Sequence, residues 1–278
     1  MKSVLAALVA ATALAAPALA ADQDGPPPVA VLPAAAVLAR HAAEEATQGV
    51  AVDARHFYAV ANFRIGKYDK ATGRKVGEWR GSRALYPHLN HCAVLERQLV
   101  CANSNFPQLP MTSAVEFFEP GSLKHLRTVA LGPGIGSLTW MDRKDGFWWA
   151  TFANYDGNGG EPGRDHRFTT FVKFDDNWRR VEAWAFPATV LANFKPMSSS
   201  GGAWGDDGLL YVTGHDHGEL YVLRLPEAGS VLEHVATIPV ALEGQAVVWD
   251  RSQNRVLYGI SRPNREVVAL KIPEVPKP

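Results

Sequence analysis

His215, Asp216 and His217 stand in a row within "LYVTGHDHGELYVL", between two runs of β-branched, aromatic and leucine residues. A histidine beside a carboxylate is suited to proton transfer, because imidazole titrates near neutrality and the carboxylate steadies the charged ring. His215 and His217, two apart in extended chain, project to one side and could together ligate a divalent metal. His88 and His91 in "YPHLNHC" form a second, looser pair. No H-E-x-x-H spacing accompanies either pair, and no G-x-S-x-G elbow surrounds Ser198, Ser199 and Ser200. A divalent metal is therefore the one cofactor these residues suggest, and local sequence does not name its ligands. Gly214 or Gly218 alone would make a turn here, so the three ionisable residues need an explanation from the location of the loop.

Repeats supply that location. Five segments superpose: "TQGVAVDARHFYAVAN" from Thr47, "NHCAVLERQLVCANSN" from Asn90, "GSLTWMDRKDGFWWATFAN" from Gly136, "SGGAWGDDGLLYVTGHD" from Ser200 and "GQAVVWDRSQNRVLYGISR" from Gly244. Each is a small polar start, an apolar run, a turn with Asp or Glu, and a second run ending in polar residues, which is a hairpin. A second strand pair follows each of the first four. Four strands recurring at about 40–50 residues signal an all-β chain folded as a five-bladed β-propeller. The fifth unit lacks its outer strand, and "AVLARHA" at Ala36–Ala42 is placed to supply it, so that the N-terminal strand closes the last blade. The spacing stretches only between Gly136 and Ser200, mainly through "YDGNGGEPGRDHRF" at residues 155–168. A loop of that length in a compact fold is functional or disordered.

"MKSVLAALVAATALAAPALA" reads as a secretory signal, with Lys2 as the basic start and Ala18-Leu19-Ala20 as the cleavage site. The expected division is a signal peptide at 1–20, a loose leader at 21–35 and one propeller domain at 36–274, in a periplasmic or secreted protein. The 28 basic and 28 acidic residues cancel, so neither nucleic acid nor, after signal cleavage, a membrane is implied as a partner. In an oxidising compartment Cys92 and Cys101 should pair. A two-residue turn at Glu96-Arg97 sets them opposite one another at a non-hydrogen-bonded site, where Cα atoms come closest.

In such a blade the start of the first strand and the end of the second meet at one edge. One face of the disc therefore collects Gln48 and Asn62, then His91, Asn103 and Asn105, Ser137 and Asn154, Ser200, His215 and Asp216, and finally Gln245 and Arg262. The long loop, with Asp156, Glu161, Asp165, His166 and Arg167, joins the same edge. The opposite face carries generic hairpin turns. Buried rim residues of this kind also bind ordered water without doing chemistry.

The phrases "TQGVAVD", "SLTWMDR", "FANYDG", "GEPGRDHR", "KPMSSSGG", "YVTGHD" and "EGQAVVWDR" make the chain from Thr47 to Lys271 resemble exported bacterial propeller proteins loosely labelled cycloisomerases. That resemblance implies ring formation and leaves the substrate open. A more distant likeness is to the plant-type glutaminyl cyclotransferases, five-bladed propellers that cyclise N-terminal glutamine. Only "TQG", with Gln48, matches them well, and Asn90-His91 stands where their catalytic Glu is expected.

The expected function is ring closure or opening in a small polar substrate by acid–base catalysis. His91 and His215 would transfer protons and Asp216 would orient or charge His215. Arg167 or Arg262 would bind a carboxylate, while Gln48, Asn105, Asn154, His166 and Gln245 would complete the substrate contacts. A metal-dependent hydrolase of the lactonase kind and a non-enzymatic propeller that captures a ligand or a protein partner are the rivals.

Overall fold

The computed structural model describes residues 29–276; the signal-peptide expectation at 1–20 lies outside them. The chain opens with β1 (Ala30–Val31) and β2 (Ala36–Ala42). Blade 1 is β3 (Gly49–Val52), β4 (His56–Ala61), β5 (Arg64–Asp69) and β6 (Lys75–Arg80). Blade 2 is β7 (His88–Leu95), β8 (Gln98–Ser104), β9 (Thr112–Phe118) and β10 (His125–Pro133). Blade 3 is β11 (Ser137–Lys144), β12 (Phe147–Ala153), β13 (Thr170–Phe174) and β14 (Arg180–Ala185), followed by the short helix α1 (Ala188–Phe194). Blade 4 is β15 (Gly201–Trp204), β16 (Leu210–Thr213), β17 (Glu219–Arg224) and β18 (Glu233–Pro239). Blade 5 is β19 (Val247–Trp249), β20 (Val256–Ser261), β21 (Glu266–Lys271) and, as its outer strand, β2.

Within each blade neighbouring strands run antiparallel, in chain order except for β2 at the outside of blade 5, and the innermost strands touch cyclically, β3 to β7, β11, β15, β19 and back to β3. This is the expected five-bladed propeller. Its closure is as read from the sequence: β2 pairs antiparallel with β21, from Ala36 opposite Lys271 to Ala42 opposite Glu266. Residues 30–35, at the end of the expected loose leader, are paired to blade 4. Ala30 and Val31 pair parallel with Ala236 and Thr237 of β18, and the backbone N–H groups of Leu32 and Ala35 donate to Thr237 and Pro239. An unpaired edge on blade 4 offers backbone partners to any adjacent extended segment, so the residues before β2 strap blade 4 to blade 5.

The core explains why the strands read as nearly continuous apolar runs. Both faces of a blade are covered, and alternate side chains enter the two flanking interfaces. Val256, Tyr258 and Ile260 of β20 pack toward blade 1, whereas Leu257 packs toward blade 4. Each of the five blade interfaces has its own cluster; the largest aromatic concentration, Trp140, Trp149, Phe171, Trp184 and Trp204, joins blades 3 and 4. Each such side chain contributes on the order of 2–3 kcal/mol by burial.

Cys92 and Cys101 are bonded, with Cα atoms 4.1 Å apart, inside the interface of blades 1 and 2. The register is the expected one, Leu95 opposite Gln98 through Cys92 opposite Cys101. Glu96 and Arg97 both have positive φ (47° and 68°), as a two-residue hairpin turn matching strand twist requires.

The lower face, expected to be generic, stitches the ring. Lys70 of blade 1 pairs with Asp250 of blade 5 at 2.6 Å, Arg251 of blade 5 with Asp206 of blade 4 at 2.6 Å, and Arg143 of blade 3 with Glu96 of blade 2 at 2.8 Å. The Asp142 carboxylate accepts from the Trp204 backbone N–H at 2.7 Å, and Lys67 donates to the Gly121 carbonyl at 2.9 Å. Acidic residues in four of the five repeat turns, Glu96, Asp142, Asp206 and Asp250, thus serve neighbouring blades, while Asp53 holds its own turn and Tyr58.

Candidate functional site

The upper mouth of the channel is built where inner strands begin and second strands end. His215 and Asp216 follow β16, and Nδ1 of His215 lies 2.5 Å from an Asp216 carboxylate oxygen. Nε2 of His215 lies 3.1 Å from Nη1 of Arg262, just beyond β20. Arginine can only donate, so Nε2 carries the lone pair and Nδ1 the proton given to Asp216. Gly244 makes this junction possible: its φ is +72°, and a Cβ there would meet the carbonyl oxygens of Gly214 and His215 at 2.5 and 2.6 Å. Gln245 is buried beside it, its N–H donating to Gly214 at 3.0 Å and its carbonyl accepting from the Thr213 hydroxyl. The structure therefore gathers His215, Asp216, Gln245 and Arg262, and Gln48 is half-buried at the start of β3.

His91 sits elsewhere. Between Leu89 and Cys92 the register slips, so that Asn90 and His91 together oppose Ala102, a bulge that re-aims side chains. His91 is fully buried in the channel, where Nε2 contacts the Val247 carbonyl at 3.2 Å and Nδ1 has no partner. Burial pushes its pKa down to about 4, against the opposing effect of the Val247 contact. A neutral ring bonded to a carbonyl must donate from Nε2, which leaves Nδ1 as a buried acceptor. His91 also lines a small cavity of about 30 Å³ with Asp142 and Trp249, toward the lower face. It is thus a channel residue rather than a rim partner of His215.

His88 takes the rim position instead. Burial, and then repulsion from His215 whenever that ring is protonated, hold its pKa at about 4. Its ring lies 5.2 Å from Phe106, which meets Tyr155 edge-on at 4.9 Å. Tyr155 is buried, and burial raises its pKa to about 12. Met111, Ala153 and Tyr155, with Phe106 and Met197 against them, form an apolar pad beneath the upper loops. Sequence reasoning missed Tyr155 and Phe106 because aromatic residues in loops look like generic packing; "NFPQLP" and "FANYDG" on adjacent blades were the available signals.

The long blade 3 loop is ordered around a second dyad. Nδ1 of His166 lies 2.5 Å from Asp156, which also accepts the His166 backbone N–H at 3.0 Å. Burial pushes Asp156 upward, but these contacts hold its pKa below the usual carboxylate range. Asn154 is buried, donating to the Ile135 and Phe168 carbonyls and leaving Oδ1 unpartnered. Two expected contacts, and Asn103 of the same polar face, have other duties. Arg167 is exposed and held in a bidentate pair with Asp165, while Asn105 staples its own loop, donating to the Pro110 carbonyl and accepting from Thr112 N–H. Asn103 faces the flank of blade 2, donating to Glu116 at 2.9 Å. Short polar side chains satisfy nearby backbone first, which sequence position alone does not reveal. Ser198 and Ser199 are likewise used in packing, against Thr169 at 2.6 Å and Trp140 Nε1 at 2.8 Å.

Of the His215 and His217 pair, both ring nitrogens of His215 contact protein groups and His217 is exposed. Among the described residues, Asp156, Asp165 and His166 bring three donor atoms within 4.8 Å of one another. Those atoms already bond within the protein, Asp165 to Arg167 and His166 to Asp156. A metal would have to displace these contacts.

No protein-family model matches the sequence, and no curated protein matches it. Among solved structures the chain is similar to the PQQ-bound aldose sugar dehydrogenase of Streptomyces coelicolor, with 12% identity and a TM-score of 0.50 over 87% of this chain and 82% of that one. It is also similar to a gluconolactonase from Xanthomonas campestris (16% identity, TM-score 0.48, 82% and 72% covered) and to a luciferin-regenerating enzyme (12%, 0.47, 84% and 95%). At these identities the likeness is one of fold.

Proposed function

We propose that the upper mouth is the active site of an exported enzyme that opens or closes a ring in a small, carboxylate-bearing polar substrate by acid–base catalysis. One observation carries this reading: His215 is fixed by Asp216 with its Nε2 lone pair turned toward an exposed arginine, Arg262. A substrate carboxylate binding the guanidinium draws it away from Nε2 and delivers the substrate to a base in the required tautomer.

His215 then takes a proton from the carbon adjacent to the bond that breaks, and Asp216 stabilises the imidazolium. As the ring C–O bond opens, its electron pair leaves on oxygen, which is protonated from the enzyme. His166, polarised by Asp156, is offered for that proton in place of His91. The reverse steps close the ring, and no oxidant or reductant is needed. Asn154 Oδ1 and Gln245 supply contacts for neutral polar groups. The disulfide supports export, and no helix among the described residues is long and apolar enough to cross a membrane.

The test is incubation of the protein with paired cyclic and open-chain carboxylates, followed by NMR. Expected is a mass-neutral interconversion that His215→Asn slows at least about a hundredfold, with carboxylate binding retained. Full activity in His215→Asn would overturn the assignment, and binding without conversion would make the protein a ligand-binding propeller. A lactonase-type hydrolase, favoured by the Asp156, Asp165 and His166 cluster, would instead add water and depend on metal.

A further inference from the structure

A second polar centre lies on the flank of blade 2, reaching up to Ser104, Asn105 and Gln108 at the blade's upper edge. A groove of about 820 Å³ separates the β6–β7 connection, at Arg83 to Pro87, from the outer part of the blade. Its volume falls within the usual range for small-molecule sites. At its floor Glu116 is 2% exposed, between buried Val115 and Phe117. Its carboxylate accepts from Asn103 Nδ2 at 2.9 Å, His125 Nε2 at 2.9 Å and Thr128 Oγ1 at 2.6 Å.

This arrangement is not what the core requires. Removing a carboxylate from water costs several kcal/mol even when it is paired, and a well-packed apolar residue often serves stability equally well. The centre is also incomplete: Asn103 Oδ1 and Ser104 Oγ, on residues lining the groove, are buried without partners. Each unmet group costs roughly 1–3 kcal/mol. The wall is aromatic, with Tyr86 held edge-on by Trp79 at 4.7 Å and by His125 at 5.6 Å.

Charge selects the ligand class. Glu116 already has three donors and is poorly placed to serve as an open counter-ion for a cation. Arg83 could hold an anion only at the exposed rim. What remains is the Asn103 acceptor, the Ser104 and Tyr86 hydroxyls and the Gln108 amide, beside an aromatic ring. Groups that both donate and accept match sugar hydroxyls, and a sugar's C–H face packs on an aromatic wall. We propose that the blade 2 groove is a binding site for a neutral saccharide, centred on Glu116, Asn103 and Tyr86.

The full chain, labelled with ¹⁵N, is titrated with glucose, maltose and cellobiose at tens of millimolar, with choline as the cationic alternative. Expected are saturable shifts around Tyr86, Asn103 and His125 with at least one sugar. Glu116→Gln should weaken that binding at least tenfold, and Tyr86→Ala, at a half-buried position, gives the same readout if the first variant fails to fold. Three results overturn the proposal: no shifts with any of the three sugars, choline binding alone, or shifts confined to His215 and Arg262. Turnover at the mouth is a separate measurement, so either proposal can fail without the other.

Discussion

Arg262 places Nη1 3.1 Å from Nε2 of His215, and this contact defines the ring's tautomer as well as its accessibility. Because the guanidinium is exposed, replacing it should not disturb the fold. Arg262→Ala is expected to melt as the parent does, since surface substitutions usually change stability by no more than about 0.5 kcal/mol. It should also bind carboxylate-bearing ligands at least about tenfold more weakly, the scale of a charge-assisted contact. Calorimetry with substrate-like carboxylates measures both effects, and unchanged affinity would remove Arg262 from the site.

His88 and His91 make the protein acid-sensitive in a defined window. Burial lowers both pKa values from 6.5 to about 4, with repulsion from a protonated His215 adding to the shift at His88. Between these values the unfolded chain binds more protons than the folded one, so stability is full above about pH 6.5 and falls as pH drops toward 4. Each histidine contributes on the order of 3 kcal/mol at most. Denaturant midpoints should decline across that window, and His91→Gln should flatten the decline. Carboxylates held low, such as Asp250, act at more acid pH. A parent profile that is flat from pH 6.5 to 4.5 would contradict the burial of these rings.

Much of the architecture was legible because it follows from local periodicity. Repeated hairpins gave the blades, the missing outer strand pointed to Ala36–Ala42, and counting outward from Glu96-Arg97 placed Cys92 opposite Cys101. The site was legible only at the level of a face. Sequence position put His91 on the rim, but a one-residue bulge turned it into the channel. Likewise, Arg167 and Asn105 lie on the expected side, yet nearby carboxylate and backbone groups claim their side chains. Such competition is settled by three-dimensional proximity, which residue type does not encode.

The N-terminal strap should act in two steps. Removing residues through Pro33 deletes β1 from the edge of blade 4, whereas removing residues through Ala42 also opens blade 5. The first truncation is expected to lower the melting temperature modestly. The second should lose cooperative melting or solubility, because the ring can no longer close and β21 becomes an open edge. Equal melting of both truncations would separate closure from stability.

Reduction should matter less than closure. Cys92 and Cys101 are separated by 9 residues in sequence, and a loop of about ten residues stabilises by roughly 2–3 kcal/mol in the chain-entropy account. A Cys92→Ser, Cys101→Ser double variant should therefore melt several degrees lower, at about 2–4 °C per kcal/mol for a chain of this size. Intact mass should rise by two hydrogen atoms on reduction of exported protein. Two alkylated thiols before reduction would show that the bond does not form in the native compartment.

Arg167 provides the sharpest test between acid–base and metal chemistry. Its side-chain and backbone hydrogen bonds to Asp165 hold that carboxylate near pKa 2, so Asp165 is charged at neutral pH but occupied. A divalent ion using Asp156, Asp165 and His166 would have to displace the guanidinium and the His166 Nδ1 proton. Dialysed protein is therefore expected to bind Ca²⁺, Mn²⁺ or Zn²⁺ weakly, with Kd above about 0.1 mM, the range of loose extracellular sites. Arg167→Ala should tighten binding by freeing Asp165, and Asp165→Asn should weaken it. Elemental analysis and calorimetry read both changes. If the parent instead retains near-stoichiometric metal through dialysis and Asp165→Asn loses it together with turnover, the metal-dependent hydrolase replaces the His215 mechanism.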